Sequence, residues 1–195
     1  SRSEYRLLHR QDNADQRLSP IGHRIGLVSD EQYEAVLEKY RTVDREIKRL
    51  EATGIAEGAA LNEMLLAHDT ASVKGSARLS DLIRRPQIGY QDLAPFDPER
   101  PELPDEVTEQ VEIQIKYEGY IQKQLIQVEQ MRKLENRLLP EGIRYDEIRG
   151  LRLEAIEKLQ RVRPHNIGQA SRISGVSPAD ISVLLIYLES KKQAE

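Results

Sequence analysis

The chain contains no cysteine, no tryptophan and a single phenylalanine. Without cysteine there can be no disulfide, no thiolate nucleophile and no cysteine-based metal site, which fits a reducing, cytoplasmic compartment. No apolar run approaches the roughly 20 residues of a membrane-spanning helix. The formal net charge of -4 provides no global field for attracting nucleic acid, so any such site must be a local patch. Catalytic signatures are also missing: no P-loop, no G-x-G-x-x-G, no G-x-S-x-G and no H-E-x-x-H. His9, His23, His68 and His165 are scattered without ligand spacing, and most carboxylates alternate with Lys and Arg as on solvated helix faces. Taken by itself, the chain carries no catalytic, cofactor or metal set.

What is present is helical. Of the 195 residues, 38% are hydrophobic and 32% charged, a balance suited to amphipathic helices rather than a thick sandwich or barrel. The spacing predicts an all-α fold: an elongated bundle of helices, a small C-terminal helical subdomain and a possible lone strand near Ser3–Arg10. Asp12–Leu18 reads as one or two helical turns, and Ser19-Pro20 as the start of another short helix ending near Gly26. Ser29-Asp30 caps a long helix in which Tyr33, Val36, Tyr40, Val43, Ile47 and Leu50 form a heptad seam. That seam suits either a coiled-coil partner or packing within the chain. Shorter helices are predicted at Gly58–His68 and Leu79–Arg84. Pro86, Pro95, Pro98, Pro101 and Pro104 mark a stiff linker. The longest helix runs from Asp105 to about Leu138, with Gly119 inside it suggesting a close approach. The expected divisions are therefore 1–18, the tail of another domain; 19–85, a helical arm; 86–104, the linker; and 105–195, a C-terminal helical domain. The opening Ser1-Arg2-Ser3, without Met, raises the expectation of a piece of a longer protein.

Two features of the last 40 residues carry chemistry. Leu159–Ala179 contains no Asp or Glu but holds Arg161, Arg163, His165, Gln169 and Arg172. A helix start near Asn166 or Ile167 would add exposed N–H groups, completing a candidate phosphate site. The following helix, capped by Ser177 with Pro178 at its first position, is apolar nearly all round through Ile181, Leu184, Leu185 and Leu188. The pair has the spacing of a helix-turn-helix. Its second helix, however, offers Ser177, Pro178, Ala179, Asp180 and Ser182 and nothing that reads base edges.

Three ordered blocks carry a family resemblance. Ser1-Arg2-Ser3-Glu4-Tyr5-Arg6-Leu7 with Arg10, Asp12-Asn13-Ala14-Asp15 and Arg17-Leu18 is the first; Lys116–Ile121 is the second; Ile167–Val176 is the third. Together they resemble the MnmG (GidA) family. The resemblance implies the C-terminal helical region of a homodimeric cytoplasmic flavoenzyme. That enzyme would use FAD, NADH and a folate one-carbon donor to modify carbon 5 of the tRNA wobble uridine, with an MnmE-type GTPase as partner. The family's glycine-rich flavin loop and catalytic cysteines have no counterpart in this chain. On this resemblance Lys116, Tyr120, Arg161, Arg163, His165, Gln169 and Arg172 are expected at tRNA, and Ile181, Leu184, Leu185 and Leu188 in the core or at the GTPase. The alternative is a purely structural module bracing the flavin domain or dimer.

Overall fold

A computed structural model describes residues 5–192, and the Ser1–Glu4 part of the first block lies outside the described residues. The chain forms two compact units, Ser1–Gln124 and Leu125–Glu195. The division falls within the longest helix rather than at the Pro-rich segment.

The first unit opens with a turn. The N–H groups of Leu8 and His9 both donate to the Tyr5 carbonyl (2.9 and 3.2 Å), so Tyr5–Arg10 is not the expected strand. One helix, α1 (Ala14–Arg24), replaces the two short ones predicted, with Pro20 inside it. An interior proline removes one helical hydrogen bond. Contacts with the next helix, α2 (Asp30–Ala52), hold α1 together nonetheless. Asp15 accepts from Lys39 Nζ (2.9 Å) and from the Tyr40 hydroxyl (2.7 Å), and the His23 ring stacks on Tyr33 at 4.5 Å.

Helix α2 begins in a capping box: Gln32 N–H donates to Ser29 Oγ, and Ser29 N–H donates to Gln32 Oε1. Its heptad seam is internal. Tyr40, Val43 and Leu50 are buried, and Ile47 packs on a core shared with Leu61 and Leu65 of α3 (Ala59–Ala67) and Leu79, Leu82 and Ile83 of α4 (Leu79–Ile83). Between these helices, β1 (Gly54–Ala56) pairs antiparallel with β2 (Ser76–Arg78), a sheet the helical periodicity did not reveal.

The Pro-rich segment is not a free linker. Ile88, Tyr90 and Leu93 are buried in the same core, around a 3-10 turn at Gln91–Phe96. Buried charges fasten it down. Arg49 of α2 pairs with Glu46 (2.7 Å) and with Asp97 (2.6 Å), and both acids are 3% exposed. The Tyr90 hydroxyl donates to Glu46 Oε1 at 2.8 Å. The apolar residues between the prolines thus belong to a core.

Helix α5 (Asp105–Glu135) stops three residues short of the predicted end. Val107, Val111 and Ile115 are buried in the first unit, whereas Tyr117, Tyr120, Leu125 and Ile126 are exposed. Gly119 has open space where a side chain would begin, so no close approach explains it among the described residues.

The second unit continues with a 3-10 turn at Tyr145–Glu147, α6 (Leu153–Val162), α7 (Ile167–Ser171) and α8 (Pro178–Lys192). Its own core holds Leu139, Tyr145, Ile148, Ala155, Leu159, Ile167, Ala170, Ile181 and Leu184. Asp180, 1% exposed, ties the α7–α8 turn to the start of α6. It accepts from Ser177 N–H (2.8 Å), Ser177 Oγ (2.6 Å) and the Arg152 guanidinium (2.7 Å), while Arg152 also donates to the Gly175 carbonyl (3.0 Å). The Arg152 guanidinium, joined by these Ser177 donors, holds the Asp180 carboxyl well below the usual carboxylate range despite its burial. The helix-turn-helix outline is therefore a packing unit with a buried anion at its corner.

Candidate nucleic-acid interface

The second unit contains a cleft of about 580 Å³. One wall is the loop from Leu139 to Asp146; the other is Gln160 and the run Arg163-Pro164-His165. Its base is a short antiparallel pairing. Leu139 N–H donates to the His165 carbonyl and Ile167 N–H to the Arg137 carbonyl, both at 2.9 Å. Gly142, at φ 77°, turns the loop in a left-handed conformation that favours glycine.

Arg163 caps α6 at φ 48°, ψ 64°, also left-handed. Glycine is the usual residue there, because a Cβ in that conformation costs about 1 kcal/mol. The strained backbone sets the Arg163 side chain on the cleft wall. Tyr145 lies buried beside it. Burial raises the Tyr145 hydroxyl above its ordinary range, and the positive charge of Arg163 opposes that rise.

The structure sorts the predicted residues. Arg163 and His165 line the cleft, and Arg161 is exposed in the last turn of α6 beside them in sequence. None of these three side chains has an ion-pair partner among the described residues. Gln169 is spent on the backbone, its Oε1 accepting from His165 N–H at 2.8 Å. Arg172 pairs with Glu135 at 2.7 Å. Lys116 belongs to the first unit, where it pairs with Glu112 at 2.7 Å, and Tyr120 is exposed on α5.

Most of the expected phosphate-binding helix start is already engaged within the chain. Asn166 Oδ1 accepts from Gln169 N–H, Ile167 N–H is bonded to Arg137, and Ala170 N–H donates to the Asn166 carbonyl. Nor is the acid-free window acid-free in space. Glu135 packs against Gly168, and a Cβ there would come within 2.5 Å of its side chain; a Cβ at Gly175 would come within 2.7 Å of Glu154. Both acids come from distant sequence positions.

Of the apolar residues on α8, Ile181 and Leu184 are core, not surface. Leu185 and Leu188 are half-buried against that core, and Ile186 is exposed. Sequence reasoning missed the Leu139–Asp146 wall with Arg144 and Gln160. The Pro140-Glu141-Gly142 turn was visible, but Arg144 sits among acids and pairs with Asp146 (3.1 Å) and Glu147 (3.0 Å). No group of acidic or histidine residues among the described residues could hold a metal, and no helix among them is long and apolar enough to cross a membrane.

Comparison with known proteins covers both units. Residues 30–125 match the family described as the tRNA modifying enzyme MnmG/GidA C-terminal helical domain, and residues 127–195 the MnmG/GidA C-terminal helical bundle. The chain is 55% identical over 193 residues to the tRNA uridine 5-carboxymethylaminomethyl modification enzyme MnmG of Caldicellulosiruptor saccharolyticus, covering 99% of this chain and 31% of that protein. It is 53% identical over 193 residues to the enzyme of the same name from Clostridium botulinum strain Loch Maree, again at 99% and 31% coverage. A solved structure of Aquifex aeolicus GidA matches with a TM-score of 0.68 at 37% identity, covering 96% of this chain and 29% of that one. The chain thus spans about a third of the length of these relatives. Two adjoining family matches, identity above half along nearly the whole chain and a shared fold establish that it belongs to the MnmG/GidA family, as its C-terminal helical region.

Proposed function

We propose that this chain holds tRNA for a wobble-uridine-modifying flavoenzyme, and that the rim of the second unit's cleft is where the RNA backbone lies. The observation that carries the reading is the set of three exposed basic groups, Arg161, Arg163 and His165, unengaged by acids among the described residues. Arg137, Arg144, Arg152 and Arg172 of the same unit are by contrast each paired with an acid. Unengaged guanidinium groups beside a cleft suit phosphate, since each contact releases counterions and needs no rearrangement of existing ion pairs. Gln169 acts by fixing the backbone at His165. Arg172 and Lys116 would have to leave Glu135 and Glu112, so they contribute less; Tyr120 offers a stacking face.

The test is tRNA binding as a function of salt. Arg161→Glu and Arg163→Glu are each expected to weaken binding at least tenfold, and each alanine variant to flatten the log–log salt slope by about one. Arg172→Ala should change it less than threefold. Equal binding by parent and both glutamate variants removes the cleft rim from consideration.

The remaining expectations come with the family. FAD and NADH would be bound by parts of the protein outside this chain, in a cytoplasmic homodimer. An MnmE-type GTPase would dock on the outer face of α8, where Leu185, Ile186 and Leu188 are reachable and Ile181 and Leu184 act only as support. Pull-down of that GTPase by an Ile186→Asp variant tests this, and undiminished capture counts against it.

A further inference from the structure

The cleft of the second unit is more than a basic rim requires. RNA phosphates lie along a surface and need no cavity, yet this one holds about 580 Å³, the size class of small-molecule sites. Its lining also disfavours phosphate, because Glu141 and Asp146 stand in it and like charges repel. What the walls offer is apolar or aromatic: Pro140 and Ile143 on the loop side, Pro164 and His165 on the other. Such surfaces suit the two faces of an unstacked base, which proteins commonly stack on aromatic rings, histidine included.

The polar groups between the walls select the edge of that base. Arg144 donates to Asp146 Oδ2 at 3.1 Å. Gln160 Nε2 donates to Asp146 Oδ1 at 3.4 Å, a long bond that a better donor displaces. The backbone N–H of Asp146 itself and the Arg144 guanidinium hold its carboxyl below the usual carboxylate range, so at neutral pH it only accepts. Two oxygens side by side, each with a lone pair to spare, match a base edge with two adjacent donors. Among the four RNA bases guanine alone has that edge, in N1–H and its 2-amino group. Adenine and cytosine set a donor beside an acceptor there, and uracil sets a donor between two acceptors.

We propose that the cleft receives a single unstacked guanine of the RNA, one face on His165 and its Watson–Crick edge on Asp146, while Arg163 holds the adjoining phosphate. The inference rests on the tRNA reading and adds a base to it.

Fluorescence anisotropy of the 195-residue chain with labelled single-stranded oligouridylates tests it, the central residue being guanosine, inosine or adenosine. Inosine keeps N1–H and lacks the 2-amino group. The guanosine oligomer should bind about tenfold tighter than either of the others, since a site made for two donors is left with an unpaired oxygen by inosine. Asp146→Asn should bring the three affinities together. Equal affinities in the parent overturn the proposal, and the tRNA reading survives if they still fall with salt. A guanosine preference that persists in Asp146→Asn overturns it as well. So does failure of all three oligomers to bind, and tRNA binding in the same buffer then decides whether the tRNA reading falls too.

Discussion

Each unit is pinned by buried carboxylates, and the two do it differently. In the first, Glu46 and Asp97 share Arg49, and Tyr90 adds a hydroxyl. The same economy runs through the unit: Lys39 with Asp15, Arg84 with Glu118, Lys116 with Glu112, and Arg100 over the Tyr90 ring at 4.2 Å. Several of its basic side chains thereby tie one element to another. In the second unit a single acid, Asp180, does the corresponding work with Arg152. The economy there leaves Arg161, Arg163 and His165 outside the fastening. Engagement in structure, more than local charge density, separates a basic residue that holds the fold from one that can meet a ligand.

The largest expected effect breaks the first anchor. Glu46→Ala leaves Arg49 over one acid, strands the Tyr90 hydroxyl and removes a buried charge from a paired set. Removing one partner of a buried ion pair costs about 3–5 kcal/mol. Urea unfolding should show the transition of the first unit moving to lower denaturant while that of the second stays. A loss below about 1 kcal/mol would mean that this network is solvated and holds little.

Asp180→Asn should act on the second unit alone and cost about 2 kcal/mol, because hydrogen bonds to a charged acceptor are each worth more than neutral ones. Acid adds a sign. The folded carboxyl is depressed below its ordinary value of 3.8. Its contribution is therefore complete above that value and lost as pH falls toward the folded value. The stability gap between parent and variant should be flat from pH 5 to 8 and close below pH 4. A gap that persists unchanged into acid would detach Asp180 from the charge assigned to it.

Tyr90 sharpens the first anchor from the alkaline side. Burial, reinforced by the hydrogen bond to Glu46, pushes its hydroxyl up to about 12 from 10.0. The fold favours the neutral phenol, so this stability is present below pH 10 and lost as pH rises from 10 toward 12. Tyr90→Phe should cost about 1 kcal/mol at pH 7 and make the first unit less sensitive to alkali, read by thermal melts across pH 8–11.

The helices were legible because their apolar spacing is a local property. The capping box at Ser29 and the Ser177-Pro178 helix start were readable for the same reason. What escaped depended on residues far apart in sequence. Prolines 86–104 announced stiffness, but only Ile88, Tyr90 and Leu93 meeting α2 made the stretch part of a core. The acid-free window lost its meaning once Glu135 and Glu154 came alongside it. Of the seven residues expected at tRNA, Arg163 and His165 line the cleft with Arg161 next to them in sequence, and Arg172, Lys116 and Gln169 are engaged elsewhere. The Leu139–Asp146 wall was hidden because its one arginine stands among acids. In the first block, Asp12, Asn13, Asp15 and Arg17 turned out to be ties: Gln110 donates to Asp12 at 3.1 Å, and Arg17 donates to Asn13 at 2.9 Å.

The smallest expected change in stability separates fold from ligand most cleanly. Arg163 occupies a left-handed cap where glycine is the comfortable residue. Arg163→Gly relieves about 1 kcal/mol of backbone strain. Glycine's greater freedom in the unfolded chain takes part of that gain back. The thermal midpoint of the second unit should therefore stay level or rise by a few degrees, which calorimetry can resolve. If the guanidinium is there for phosphate, tRNA affinity should fall several-fold in the same variant and the salt slope should flatten by about one. An arginine retained for stability would give the reverse, a lower midpoint with binding unchanged. That outcome would return Arg163 to the group of basic residues, like Arg49 and Arg152, whose work is internal.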